Sequence, residues 1–111
     1  MADGAQNALV LGLGASGVAA ARLLRRQNAA VTAADAADNP VLRQTAAALR
    51  AEGCAVALGA AGLPPGVFDL CVVSPGLPAD SPWLRAAAAR GIPVVSELAF
   101  GWRHLRARVL A

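Results

Sequence analysis

Apolar and polar positions along this chain fall into short blocks whose period switches repeatedly between that of a strand and that of a helix. Leu9-Val10-Leu11 is an apolar run that breaks into Gly12-Leu13-Gly14-Ala15-Ser16-Gly17. The pattern then resumes with Val18, Ala21, Leu23 and Leu24 on one side and Arg22, Arg25, Arg26 and Gln27 on the other. This reads as strand, tight turn and amphipathic helix, the helix closing near Asn28. Ala30-Val31-Thr32-Ala33-Ala34 follows as a second strand and stops at Asp35. Asn39 is the expected N-cap and Pro40 the first position of a second helix, in which Val41, Leu42, Thr45, Ala46 and Leu49 recur at helical spacing until Gly53. A third strand, Ala55–Leu58, leads into a loop from Gly59 to Gly66, rich in glycine and proline.

Phe68-Asp69-Leu70-Cys71-Val72-Val73 is the strongest strand signal, nearly continuous in apolar character, as in a parallel strand covered on both faces. It ends in Ser74-Pro75-Gly76. Ser81 caps a further helix with Pro82 at its first position, and Gly91 ends it. Ile92-Pro93-Val94-Val95 is a fifth strand, and Ser96-Glu97-Leu98 begins a last helix running through Phe100, Trp102 and Leu105. Arg108-Val109-Leu110-Ala111 reads as the opening of another strand cut short, so a boundary within a longer protein is expected.

Five strands, all but the third followed by a helix, with short connections predict an α/β fold: a five-stranded, doubly wound parallel sheet with helices on both faces, Rossmann-like, in the order 3-2-1-4-5. Ligands bind such sheets at the crevice where the order reverses. Strands one and four are neighbours there, so Gly12–Gly17 and Ser74–Gly76 face each other, with Asp35 to one side. The glycines have the G-x-G-x-x-G spacing, in which Gly12 permits the turn, Gly14 lets backbone approach a phosphate and Gly17 lets the helix pack closely. Free amides at the helix start favour an anion. Asp35, about 20 residues on, either accepts from a ribose hydroxyl or base donor or caps the loop before Pro40.

Composition narrows the chemistry. The chain has 111 residues, enough for one core, and the 57% hydrophobic fraction overstates that core because alanine is about a quarter of the residues. The net charge of +3 comes from ten arginines and no lysine. A P-loop ending in Gly-Lys-Ser/Thr is thereby excluded, as is a Schiff-base lysine. No basic stripe interleaved with aromatics argues for nucleic acid. Cys54 and Cys71, in apolar runs and without C-x-x-C spacing, read as buried reduced thiols, and no metal site is expected. His104 with Arg103, Arg106 and Arg108 reads as a solvated flank or an interface rather than a catalytic cluster. No apolar run of membrane-spanning length and no secretory signal occur, so a soluble cytoplasmic protein without membrane contact is expected.

Gly12-Leu13-Gly14-Ala15-Ser16-Gly17, Asp35, Val72-Val73-Ser74-Pro75-Gly76 and Gly91-Ile92-Pro93-Val94-Val95-Ser96-Glu97-Leu98, in this order and spacing, resemble the N-terminal domain of MurD-type Mur ligases. These are the UDP-N-acetylmuramoyl-L-alanine:D-glutamate ligases of peptidoglycan precursor synthesis, and Ser74-Pro75-Gly76 is the most discriminating stretch. The resemblance implies that residues 1–107 bind the UDP part of the muramoyl substrate. Gly14, Ala15, Ser16 and Gly17 would meet the diphosphate, Ala15 and Ser16 through backbone amides and Ser16 also through its hydroxyl. Asp35 would accept from the uracil N–H, and Ser74, Pro75 and Gly76 would line the uridine. Family members often carry polar or basic residues just after the acid. Here Ala36 and Ala37 follow, so Ala36 would contribute backbone alone. An acid common in the last helix is replaced by Ala99.

Residues 108–111 would begin the strand leading into a central ATP-binding domain. ATP, Mg2+, the modified lysine and the D-glutamate site would belong to the central and C-terminal domains of the same chain. The family forms an acyl phosphate on the L-alanine carboxylate and then joins it to the D-glutamate amine; this segment carries no catalytic group for that reaction, needs no cofactor of its own and is expected to be inactive alone. Two other readings share the glycines and Asp35: an NAD(P)-binding domain of an oxidoreductase and a nucleotide-sensing regulatory module. Ser74-Pro75-Gly76 stands against the former and the interrupted final strand against the latter.

Overall fold

The apolar runs pair into a single parallel sheet. In the computed structural model, which describes residues 7–73 and 81–96, the strands are β1 (Asn7–Leu11), β2 (Ala30–Asp35), β3 (Ala55–Leu58), β4 (Leu70–Val73) and β5 (Val94–Ser96). Their order is β3-β2-β1-β4-β5, every ladder parallel, as the alternation of elements predicts. Three helices connect them: α1 (Ala15–Arg26), α2 (Pro40–Ala51) and α3 (Pro82–Ala89). Ser96, expected to open the last helix, is instead the final residue of β5, paired with Val73 of β4; the rest of that helix, the interrupted strand and the His104 cluster lie outside the described residues.

Side chains of β1 alternate between two apolar clusters, because successive strand residues point to opposite faces. Ala8 and Val10 pack with Ala21 and Leu24 of α1 and Leu49 of α2. Leu9 and Leu11 pack on the other face with Ala87 of α3, Cys71, Val73 and Ile92. The sheet is thus covered on both faces, which explains why β1 and β4 are apolar at consecutive positions. Both cysteines are buried and free. Burial pushes the Cys71 thiol up to about 12 and raises that of Cys54 as well, so neither supplies a ready thiolate.

The predicted helix starts are present. Asn39 Oδ1 accepts from Leu42 N at 2.9 Å, and Ser81 Oγ accepts from Trp83 N at 3.2 Å, with Pro40 and Pro82 in the first turns. All three helices end alike. The amide two residues past the cap returns to the carbonyl five residues back: Ala29 to Leu24 at 3.1 Å, Cys54 to Leu49 at 2.9 Å and Ile92 to Ala87 at 3.0 Å. This Schellman closure needs a left-handed residue, supplied by Asn28 (φ 64), Gly53 (φ 96) and Gly91 (φ 71). It also delivers Ala29, Cys54 and Ile92 into the core just before β2, β3 and β5.

Two strands are shorter or later than their apolar runs. Phe68 and Asp69 precede β4 because Asp69 ties to Asn7 in both directions, its N–H donating to Asn7 O at 2.7 Å and its carboxylate accepting from Asn7 N at 2.9 Å. Ile92 is consumed by the closure of α3, so β5 begins at Val94.

The arginines brace loop and helix ends. Arg25 donates to Glu52 O at 3.2 Å and to Ala29 O at 2.9 Å, and Arg50 donates to Val56 O at 2.9 Å. Arg90 donates to Pro64 O and Gly66 O and lies over the Phe68 ring. A Cβ at Gly53 would lie 2.9 Å from Arg25 Nη2. Gly53→Ala therefore both strains a left-handed residue and displaces the guanidinium that ties α1 to α2. We expect a loss of about 1–2 kcal/mol, read as a fall in thermal midpoint of roughly 5–10 °C. Gly62→Ala, where a Cβ meets nothing within 4 Å, is the control. A Gly53→Ala midpoint within 2 °C of the parent would contradict this account.

Candidate functional site

The turn between β1 and α1 is fixed at its start and open at its end. Gly12, at φ 97, donates its N–H to Ala34 O at 2.8 Å, which extends the β1–β2 ladder one residue beyond the strand. Leu13 buries its side chain in the core on the α1 side. Its N–H goes to Asp35 Oδ2 at 2.9 Å. After that the first backbone bond is Val18 N to Gly14 O at 3.0 Å. Among the described residues no acceptor meets the amides of Gly14, Ala15, Ser16 and Gly17. The first turn of α1 holds no acidic side chain, and Arg25 and Arg26 stand in its last turn. The helix dipole is therefore uncompensated at its positive end, as an anion requires.

Gly14 is the N-cap, at φ −72 and ψ −176, a conformation open to any residue, and a Cβ there would meet nothing within 4 Å. Neither backbone nor packing demands glycine at this position. What its missing side chain does leave is access to the helix amides from outside, which is the role expected of the second glycine. Gly17 is buried, while Ala15 and Ser16 are exposed.

Asp35 closes β2 beside this turn. Its Oδ1 accepts from Ala37 N at 2.9 Å while Oδ2 takes Leu13 N. The carboxylate thus caps its own loop, one of the two roles expected of it, and also takes the Leu13 amide of the glycine turn. A carboxylate has about four acceptor positions, so two amides leave capacity for a ligand donor. The loop after β2 is pinned further by Gly59 N to Ala37 O and Ala60 N to Asp35 O, each at 3.1 Å. Ala36 is exposed, and among the described residues its N–H has no acceptor. Beyond it, Arg43 hydrogen-bonds Asp38 at 2.8 Å and holds that carboxyl below its ordinary value.

An open groove joins these parts. It is lined by Leu13, Gly14 and Ala15 of the turn, by Asp35, and by residues of the facing sides of α1 and α2, including Val18, Arg22, Asn39, Leu42 and Thr45. Three predicted site residues, Gly14, Ala15 and Asp35, are thus brought together. Ser16 and Gly17 lie in the adjoining first turn of α1, and Ala36 follows Asp35. Ser74, Pro75 and Gly76 lie outside the described residues. Val73, which precedes them, pairs with Leu11, which precedes the glycine turn. The α2 side of the groove was not foreseen; the repeating Val41, Leu42 and Thr45 pattern signals a helix face but not which of its edges borders a ligand. Arg22 enters the groove wall with its guanidinium on Glu52 at 3.0 Å.

With no lysine, the chain carries no Gly-x-x-x-x-Gly-Lys-Ser/Thr phosphate loop. Among the described residues no three His, Cys, Asp or Glu side chains cluster as metal ligands, and no helix is long and apolar enough to cross a membrane.

A family model described as the N-terminal domain of MurD-like Mur ligases matches residues 6–96. Three proteins named UDP-N-acetylmuramoylalanine--D-glutamate ligase are similar to the chain. That of Microcystis aeruginosa is 44% identical over 105 residues, covering 89% of this chain and 22% of the relative. That of Frankia casuarinae is 46% identical over 95 residues, covering 86% and 20%. That of a Synechococcus strain is 50% identical over 97 residues, again covering 86% and 20%. The chain therefore spans about a fifth of the length of these curated relatives.

Proposed function

The chain belongs to the Mur ligase MurD-like N-terminal domain family, and from that premise we propose that it binds the UDP part of UDP-N-acetylmuramoyl-L-alanine. In the longer protein, an ATP-dependent ligase, D-glutamate would be joined to that substrate in the cytoplasm during peptidoglycan synthesis. The observation that carries this reading is the conjunction, on one groove, of amides at the start of α1 that meet no acceptor among the described residues, an open Gly14 and the carboxylate of Asp35.

The chemistry of uridine diphosphate suits that conjunction. The diphosphate presents anionic acceptors, and the amides of Ala15, Ser16 and Gly17 with the Ser16 hydroxyl are donors. The uracil imide presents one N–H between two carbonyls. Asp35 would accept from the N–H, and the exposed Ala36 amide would donate to a neighbouring carbonyl, a pairing that needs no side chain at position 36. Ser74, Pro75 and Gly76 would close the uridine from the β4 side. The domain, with its boundary near residue 107, would hold substrate while ATP, Mg2+ and the acyl-phosphate chemistry belong to the central and C-terminal domains.

Asp35→Ala tests the base assignment. Loss of a hydrogen bond to a charged group is worth about 1.5–3 kcal/mol, so affinity for UDP should fall about tenfold or more beyond any fall for inorganic pyrophosphate, which has no base. Titration of both ligands into parent and variant gives the two ratios. Equal losses would exclude the imide contact.

A further inference from the structure

We propose that Asp35, besides any contact with the base, is a positioning residue for the anion-binding turn. The inference rests on the reading that a diphosphate sits on the amides of Ala15–Gly17. It comes from where the turn is tethered. Along the chain from β1, the amide of Gly12 is held by Ala34 O and that of Leu13 by Asp35 Oδ2; the amides of Gly14 to Gly17 have no acceptor among the described residues, and Gly14 O takes Val18 N at 3.0 Å as α1 begins. Leu13 is the last residue whose amide is tethered before the three that would meet phosphate. The residue after it, Gly14, packs against nothing on its side-chain side, with no atom within 4 Å of a built Cβ. Without the Leu13 tether the turn is joined to the end of β2 through Gly12 alone, so the start of α1, whose amides keep their helical direction, is less firmly placed against Asp35.

The clamp itself is rigid. Asp35 Oδ1 is engaged by Ala37 N at 2.9 Å, its main-chain O by Ala60 N at 3.1 Å, and Ala37 O by Gly59 N at 3.1 Å. The main chain of Asp35 is therefore fixed against the loop after β3 and its carboxylate against its own loop, and the side chain reaches the glycine turn from that platform. A preorganised donor set gains affinity by avoiding the cost of ordering at the moment of binding. Base and phosphate recognition are consequently linked through one side chain: the group that would take the imide proton also aims the diphosphate donors.

Asp35→Asn separates this role from folding. The asparagine oxygen can keep the Ala37 bond in an Asx-turn, while its NH2 group opposes the Leu13 N–H, donor against donor. We expect hydrogen exchange at the Leu13 amide to accelerate at least tenfold with the Ala37 amide little changed. Inorganic pyrophosphate, followed by the amide resonances of Ala15, Ser16 and Gly17, should bind at least fivefold more weakly than to the parent, although it has no base for Asp35 to touch. In the parent, a through-bond coupling between the Leu13 nitrogen and the Asp35 carboxyl carbon should be detectable, which tests the tether without any variant. A parent that binds pyrophosphate at these amides, with Asp35→Asn binding it equally well, overturns the positioning role and leaves the site reading intact. A missing coupling overturns it too. A parent whose three amides do not respond to pyrophosphate overturns the site reading, and the positioning role with it.

Discussion

Leu9→Ala is expected to remove about 3–5 kcal/mol of stability, the range for emptying a fully buried leucine site that cannot collapse. Leu9 is 0% exposed, in the middle of the central strand, with Thr32 of β2 and Cys71 of β4 as its neighbours across the ladders. On its face the described cluster is made of Leu11, Ala34, Cys71, Val73, Ala87 and Ile92. Ala34 and Ala87 carry no side chain that could swing into the void, and the strand is held from both sides by backbone ladders. The cavity therefore persists and its full penalty applies. Domains of this size have total stabilities of about 5–15 kcal/mol, so the variant should lose roughly 15 °C or more of thermal midpoint, or its cooperative transition altogether. Val67→Ala, at a site 84% exposed, should leave the midpoint within about 2 °C. A shift below 5 °C for Leu9→Ala would mean that the α3 face of the sheet is not the dry core described.

Gly14→Ala should have the opposite profile, with stability nearly unchanged and ligand affinity reduced. The backbone at Gly14 is accessible to alanine, and the added methyl meets no atom of the protein within 4 Å. Alanine is a poorer N-cap than glycine, but it also restricts the unfolded chain, worth about 0.4–1 kcal/mol in the other direction, so the net change should stay within about 1 kcal/mol. A ligand seated on the α1 amides meets the methyl instead of open backbone. Displacing it loses one or more charge-assisted hydrogen bonds, each about 1.5–3 kcal/mol, which is tenfold or more in affinity. Paired melting and UDP titrations check both halves. Unchanged affinity would show that no ligand backs onto Gly14, and the site would have to be sought elsewhere on the groove.

These two residues illustrate what could be read from the sequence. The continuous apolar run that makes Leu9 a core residue and the spacing that makes Gly14 a candidate site residue are both read directly from the sequence, and the strand order followed from counting crossovers. The starts of α2 and α3 were legible because Asn39-Pro40 and Ser81-Pro82 are chemically specific caps. The helix ends were legible at Gly53 and Gly91. At Asn28 only the position could be seen, since asparagine reaches the left-handed region through local hydrogen bonding that periodicity does not record. Strand boundaries were harder. Phe68 and Asp69 have strand-like neighbours, but the exchange between Asp69 and Asn7 depends on residues 62 positions apart.

The candidate site divides in the same way. A glycine turn, free amides and an acid after β2 are local features, and Gly14, Ala15 and Asp35 do line one groove. The partners of the Asp35 carboxylate were undecided because one, Ala37 N, is local while the other, Leu13 N, is reached only across the β1–β2 ladder. The arginines were legible as dispersed charge. Their use as clamps on carbonyls at Ala29, Glu52, Val56, Pro64 and Gly66 depends on packing between elements.

The central claim is that this groove takes a uridine diphosphate rather than a dinucleotide. Calorimetric titration of the chain with UDP, with UDP-N-acetylmuramoyl-L-alanine and with NADH tests it most directly. The account predicts weak but measurable binding of both uridine ligands at one competing site, with NADH failing to displace them. Tighter binding of NADH than of either uridine ligand would contradict it.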